Sequence, residues 1–249
     1  MTAAHAIIIF VAGLGAGTIN AVVGSGSLIT FPTLIALRYP PVLANVSNDI
    51  GLVPGALSAV YGYRRELRGQ RERLVRLVPA SIAGGLVGAV LLLVLPSGVF
   101  KRIVIALILI ALALVVVQPR LAAYLQARSG TRRAEVRPAL WILVAATGVY
   151  GGYFGAAQGI ILIAILGLLL RDELQRLNAT KNVLAGSVNL VASVVFIFAT
   201  SIDWKVVGLI AAGSILGGQL GATFGRRLDQ RALRFVIVVV GTVALVRLV

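Results

Sequence analysis

Apolar residues run along this chain in long blocks separated by short polar gaps. The blocks cover 5–23, 28–37, 42–63, 74–95 and 99–118, then 139–155, 160–170, 182–199, 206–224 and 235–249. A helix needs about 20 mostly apolar residues to cross the hydrocarbon core of a bilayer, and no strand alternation is sustained anywhere. The pattern predicts an all-α polytopic membrane protein with five hydrophobic segments on each side of an Arg-rich linker. A first transmembrane repeat is expected over 1–118, the linker over 119–137, and a second repeat over 138–249. Two segments, 28–37 and 160–170, are too short to span. Each follows a glycine break: Gly24-Ser25-Gly26-Ser27 in the first half and Gly155-Ala156-Ala157-Gln158-Gly159 in the second.

The halves are related beyond hydropathy. Gly84-Gly85-Leu86-Val87-Gly88 matches Gly217-Gly218-Gln219-Leu220-Gly221 at an offset of 133, which also places Asn45 on Asn178, Ser47 on Thr180 and Lys101 on Arg234. Gly24 falls on Gly155 at 131. So long a period marks a duplication, not a solenoid. Window 64–76 holds six Arg and two Glu, whereas its counterpart 200–205 holds only Asp203 and Lys205. Window 225–234 holds four Arg and one Asp; its counterpart near 96–102 holds only Lys101 and Arg102. Basic loops stay in the cytoplasm, so equivalent loops are expected on opposite faces. That requires inverted repeats with an odd number of crossings, each glycine break making a hairpin and both termini lying outside. The alternative is eight helices in parallel repeats, with each break a mere kink.

Composition narrows the classes. Hydrophobic residues make up 59% of the 249, charged residues 12%, and the mean hydropathy is +1.00. Soluble domains carry about 25% charged residues, so a water-soluble enzyme and a disordered chain are both excluded. The net charge of +15 does not point to nucleic acid, because 18 of 23 basic residues fall in four gaps between apolar runs, 64–76, 119–137, 171–181 and 225–234. The first apolar run lacks a basic n-region and a cleavage site, so no cleavable signal peptide is expected. With no Cys and only His5, no metal or cofactor site is expected. No HExxH and no carboxylate pair is present to support a membrane enzyme. Nothing in the sequence specifies an oligomeric state.

The first break, Ile19-Asn20-Ala21-Val22-Val23-Gly24-Ser25-Gly26-Ser27-Leu28-Ile29-Thr30-Phe31-Pro32, resembles the N-terminal signature of the TauE/SafE sulfite exporter family. The stretch Gly148-Val149-Tyr150-Gly151-Gly152-Tyr153-Phe154-Gly155-Ala156-Ala157-Gln158-Gly159 resembles that family's second-repeat signature, and Asn45-Val46-Ser47-Asn48 and Asn178-Ala179-Thr180-Lys181-Asn182 also resemble family positions. Ser25 and Ser27 depart from the all-glycine run common in the family. The resemblance covers nearly the whole chain. It implies a permease of the cell membrane for small sulfur-containing anions such as sulfite or organosulfonates; a channel or general permease for another small solute fits the hydropathy equally well.

Paired interrupted segments at equivalent positions point to a transporter site. A helix N-terminus offers free N–H groups and about half a positive charge, and glycine lets an anion approach. Gly24, Ser25, Gly26, Ser27, Gly155 and Gly159 are therefore candidate substrate ligands, with Asn20 and Gln158 flanking the breaks and Tyr150 mid-segment. Tyr153 is a candidate cavity-lining residue. Asn178 and Lys181 are candidates at the start of a later segment, where Lys181 would neutralise the anion; the bland reading has it snorkelling to the interface. Asp49 is the one acidic residue within an apolar segment and a candidate for proton coupling or for orienting Lys181. Asn45, Asn182, Asn189 and Gln219 serve equally well as ties between helices. Gly13, Gly15, Gly17, Gly84, Gly85, Gly88, Gly217, Gly218 and Gly221 are expected to serve helix packing. Trp141, Trp204, Tyr39 and Tyr63 are expected as interfacial anchors.

Overall fold

The computed structural model describes residues 1–127, 138–170, 172–225 and 230–248. Linker residues 128–137, Arg171 and residues 226–229 of the last basic window lie outside the described residues. The described chain is all-helical: α1 Ala3–Val22, α2 Ser27–Ala36, α3 Pro41–Gly62, α4 Arg71–Val94, α5 Ser97–Ala127, α6 Pro138–Tyr153, α7 Gln158–Leu169, α8 Leu174–Ala199, α9 Trp204–Phe224 and α10 Gln230–Leu248. Each hydrophobic block becomes one helix. Helices α1, α4, α5, α8 and α9 are long and apolar enough to cross a membrane, while α2 and α7 are short apolar helices. Two boundaries differ from the hydropathy reading. Helix α5 continues to Ala127, and α8 begins at Leu174, eight residues before the apolar run that announces it.

Helices pack reciprocally between the halves. The first helix of the first half, α1, lies along α9, the fourth of the second; α6, the first helix of the second half, lies along α4, the fourth of the first. The same exchange pairs α3 with α9 and α8 with α4, while α3 meets α8 at the centre. The duplicated glycine motif builds both seams. A Cβ on Gly84, Gly88 or Gly152 would run into the backbone of the facing helix at the α4–α6 seam, and one on Gly17, Gly213 or Gly217 would do so at the α1–α9 seam. In a bilayer, helix association depends on such close backbone approach because lipid is as apolar as leucine. Gly15 is the exception, meeting only Ile29 Cδ1 at 3.7 Å.

The loops gather at two ends. At one, the α3–α4 loop meets the start of α8: Arg73 pairs with Asp172 at 2.8 Å, Gln70 Nε2 donates to the Arg176 carbonyl at 3.0 Å, and Thr180 Oγ1 donates to Gln70 Oε1 at 2.8 Å. At the other, Leu43 shares a shallow pocket with residues 201–205, and burial together with the neighbouring Asp203 carboxylate pushes the Tyr39 phenol up. Asp203 caps α9 there, accepting from the N–H groups of Lys205 and Val206.

Candidate functional site

Both breaks use the same local chemistry. Helix α1 ends where Val23 and Gly24 both donate to the Ile19 carbonyl, with Gly24 at φ 86°; α6 ends where Phe154 and Gly155 both donate to the Tyr150 carbonyl, with Gly155 at φ 72°. A left-handed residue just past the last turn is the usual glycine stop of a helix, and each stop is followed within a few residues by a short apolar helix. The two turns then meet. Gly159 N–H donates to the Gly24 carbonyl at 3.0 Å, and a Cβ on either glycine would collide with the Cα of the other. Residues 135 positions apart thus place the two breaks backbone to backbone inside the bundle.

The breaks are unequal as hydrogen-bond donors. At α7, the N–H groups of Gln158, Gly159, Ile160 and Ile161 are taken by Gly155, Gly24 and, twice, Ala157 carbonyls. At α2, those of Ser25, Gly26 and Ser27 have no backbone acceptor among the described residues. Three buried side-chain donors next to the breaks also lack a partner: Ser25 Oγ, Tyr153 OH and Gln158 Nε2. A buried donor left unpaired costs about 1–3 kcal/mol, so each of the three is open to a further partner. Ser27 Oγ instead accepts from Asn48 Nδ2 at 3.1 Å. Gly26 serves packing, since a Cβ there would strike the Ala16 carbonyl and Asn20 Cβ of α1. Asn20, half-buried, sits on that same turn of α1.

Three predicted ligands spend their polar groups elsewhere. The Tyr150 hydroxyl donates to the Ala156 carbonyl and ties the second turn together. Lys181 is 1% exposed and does not snorkel. Its ammonium donates to the carbonyls of Asn20 at 3.0 Å and Ala21 at 3.3 Å, the open carbonyl end of α1. Asn178 Nδ2 donates to the Ala21 carbonyl at 3.2 Å and to Tyr63 Oη at 2.9 Å, and Asn182 Nδ2 reaches the same carbonyl at 3.1 Å. One turn of α8 therefore caps α1 from the other half of the chain. Tyr63, at 4% exposure, is buried against its neighbours. In the first half, Asn45 Nδ2 likewise donates to the Tyr153 carbonyl at the end of α6, at 3.3 Å.

Asp49 does not pair with Lys181. Its Oδ1 accepts from Asn48 Nδ2 at 3.1 Å, its Oδ2 has no partner among the described residues, and it is 1% exposed. The Asn48 amide thus couples the carboxyl to Ser27, the first residue of α2, while Thr30 Oγ1 donates to Asn48 Oδ1. Ser193 Oγ on α8 and Ser47 Oγ on α3 are also buried and unpartnered. Ser193 carries no signal in the sequence; a serine in an apolar run reads as packing.

A cavity of about 80 Å³ approaches the first break from the end that holds the α3–α4 loop. Val22 and Val23 line it where α1 stops, together with Tyr63, Asn178, Leu125 and Ile163.

Apposed broken helices, reciprocal seams and buried polar caps extend over nearly the whole chain, and so do its similarities. A probable membrane transporter protein of Haemophilus influenzae (strain ATCC 51907 / DSM 11121 / KW20 / Rd) is 29% identical over 235 residues, covering 93% of this chain and 89% of that protein. The probable membrane transporter protein ORF9 of Sinorhizobium sp. is 29% identical over 244 residues, 96% and 90% of the two chains. The probable membrane transporter protein YfcA of Escherichia coli (strain K12) is 26% identical over 238 residues, 95% and 86%. The family model described as sulfite exporter TauE/SafE matches residues 9–248, which include both glycine breaks and both capping turns. This multi-pass membrane protein belongs to the TauE/SafE family of membrane transporters.

Proposed function

We propose that the protein is a secondary carrier that moves small sulfur-containing anions, such as sulfite or organosulfonates, across the cell membrane by alternating access. The anion binds where the two breaks meet, on the N–H groups at the start of α2 and on Ser25, Tyr153 and Gln158. One observation carries the reading: two broken helices touch through Gly24 and Gly159 with uncommitted donors beside the contact. Such a site holds an oxyanion by partial charges and hydrogen bonds rather than by full cations, which favours release as well as capture. Lys181 enters it indirectly, by offsetting the negative end of α1.

The halves act as inverted repeats, five segments each, with the Arg-rich loops in the cytoplasm and both termini outside. This is supported by the reciprocal helix pairing and by the loop contacts. The α3–α4 loop lies with the start of α8 at one end, and its repeat counterpart, the α8–α9 loop, lies beside the α2–α3 connection at the other. Asp49 is the coupling group. Its carboxylate and the substrate anion both draw on the α2 N-terminus, one through Asn48 and Ser27, the other directly, so two negative charges there oppose each other. A proton on Asp49 relieves the opposition and travels with the anion.

Purified protein in proteoliposomes is expected to take up one or more of sulfite, sulfoacetate, taurine and thiosulfate with saturation and counterflow. Uptake should rise with an inward-directed proton gradient, and Asp49→Asn should remove that dependence while sparing counterflow. Flux that is linear in concentration and lacks counterflow establishes the channel alternative. Parent flux indifferent to the gradient removes Asp49 from the mechanism.

A further inference from the structure

The two ends of the proposed path are built differently. Tyr153 and Phe154 are the last residues before the second break. Phe154 meets Phe31 of α2 edge-to-face at 5.1 Å between centroids, Phe100 of α5 meets Tyr153 at 5.6 Å, and Phe100 meets Phe154 at 6.5 Å. All four are buried. At the offset of 131 that relates the breaks, Tyr153 and Phe154 fall on Val22 and Val23, which line the cavity on the other side. The cluster and the cavity lie at opposite ends of α5: Phe100 is near its start, and Gln118, Ala122 and Leu125 on the cavity wall come 18 to 25 residues later. At 1.5 Å per residue, Gln118 lies about 27 Å along α5 from Phe100.

We propose that Phe31, Phe100, Tyr153 and Phe154 form the gate of the path at the end away from the α3–α4 loop, closed in this conformation, while the valine-bounded cavity is the unlatched gate at the other end. Edge-to-face rings gain attraction beyond the area they bury. Val22 and Val23, with no rings, form no equivalent latch. The second turn carries two gate residues directly ahead of its glycine stop, so its movement away from α2 and α5 separates Phe154 from Phe31 and Phe100 in one step. A sequence duplication that repeats its glycine stops and seams is thus asymmetric in its gates, and the asymmetry biases the resting protein toward access from the cavity end. This rests on the alternating-access reading but not on the identity of the substrate.

The chain has no Cys, so single reporters can be placed without removing native thiols. Ser25→Cys reports at the first break and Ala122→Cys in the cavity. Each is labelled with an impermeant maleimide added to one face or the other of oriented membrane vesicles, in the parent and in Phe154→Ala and Phe31→Leu backgrounds. Labelling of Ser25→Cys from the face opposite the α3–α4 loop is expected to rise about tenfold when the ring contacts are cut. Labelling of Ala122→Cys from the cavity face is expected to fall in the same variants. Opposed changes are the signature of a shifted equilibrium between two closed ends. A rise at both reporters means loosened packing and overturns the gate, as does no change at either. If Phe154→Ala fails to accumulate, the milder Phe31→Leu decides by the same signs. Parent protein that carries none of the tested anions overturns the substrate reading and leaves the labelling signs intact; normal uptake with unmoved labelling overturns the gate alone.

Discussion

Leucine at Gly159 abolishes transport, with uptake falling at least about a hundredfold while the protein still inserts and accumulates. The expectation follows from one contact. Gly159 N–H donates to the Gly24 carbonyl, and a Cβ on Gly159 would approach the Gly24 carbonyl oxygen to 2.9 Å and overlap its Cα. Neither neighbour is a flexible side chain that could swing away. Overpacking a tight interior costs about 1–3 kcal/mol, and here relief requires parting the two breaks and losing their one backbone hydrogen bond. Gly24→Ala should be worse than its size suggests. It adds the same collision from the other side and puts a Cβ on a residue at φ 86°, where a left-handed conformation costs roughly 1–2 kcal/mol more. Gly26→Ala is the comparison, since its Cβ would press on Ala16 and Asn20 of α1 and not on the second break. It should lower stability and displace the Gly26 N–H while leaving the Gly24–Gly159 contact in place, so uptake per folded molecule should fall less than in Gly159→Leu. The check is initial uptake in proteoliposomes normalised to folded protein by size-exclusion chromatography. A folded Gly159→Leu protein with near-parental uptake would show that the junction plays no part in the path.

Much of the architecture is legible in the sequence because the bilayer imposes it. Each apolar block became a helix, and the glycine stops at Gly24 and Gly155 stand where the runs are interrupted. The seams are legible too, since Gly84 and Gly88 recur as Gly217 and Gly221 at one offset and do the same work twice. What hydropathy misses is the polar start of α8. Arg176, Asn178, Thr180 and Lys181 depress the average, yet they are helical, and they bond to groups that lie more than a hundred residues away: Gln70, the Arg68 carbonyl, and the carbonyls of Asn20 and Ala21. No local pattern announces those partners. The same holds within the candidate site. Gln158 and Ser25 flank the breaks and remain uncommitted, as their positions suggest, but Tyr150 is spent on a carbonyl six residues ahead and Lys181 on a helix end. Hydrogen-bond allegiance depends on which ends the fold brings together, and sequence spacing carries no information on that across 160 residues.

Replacing Lys181 with methionine should lower both stability and the maximal rate, and leave the apparent substrate affinity within about twofold. The distinction matters because a buried cation in a proposed anion carrier invites assignment as a ligand. Its ammonium is already committed to two carbonyls at the end of α1, and the partial negative charge there is what makes a buried cation tolerable without a carboxylate partner. Methionine has similar length and no donors. The Ala21 carbonyl would keep Asn178 and Asn182, whereas the Asn20 carbonyl would lose the side-chain donor that Lys181 supplies. An orphaned buried carbonyl costs about 1–3 kcal/mol, and loss of the cation at a partly buried helix C-terminus adds up to about 2. The expected destabilisation is therefore on the order of 2–4 kcal/mol, visible as a clear drop in Tm in detergent without any substrate present. The freed end of α1 would also leave the first break less firmly placed against Gly159, which slows turnover rather than weakening first contact with the anion. Lys181→Asn provides the second arm. The first half carries Asn48 at the matching position, and an amide can still donate while lacking the charge, so it should recover part of the Tm lost with methionine. The measurements are Tm by thermal unfolding and the separate KM and maximal rate of uptake for all three proteins. An unchanged Tm with a KM raised tenfold or more in both variants would make Lys181 a substrate ligand and remove the capping role. A fallen Tm and rate, partly rescued by asparagine, places its charge on the helix end, where it sets the geometry of the break and leaves the anion to neutral donors.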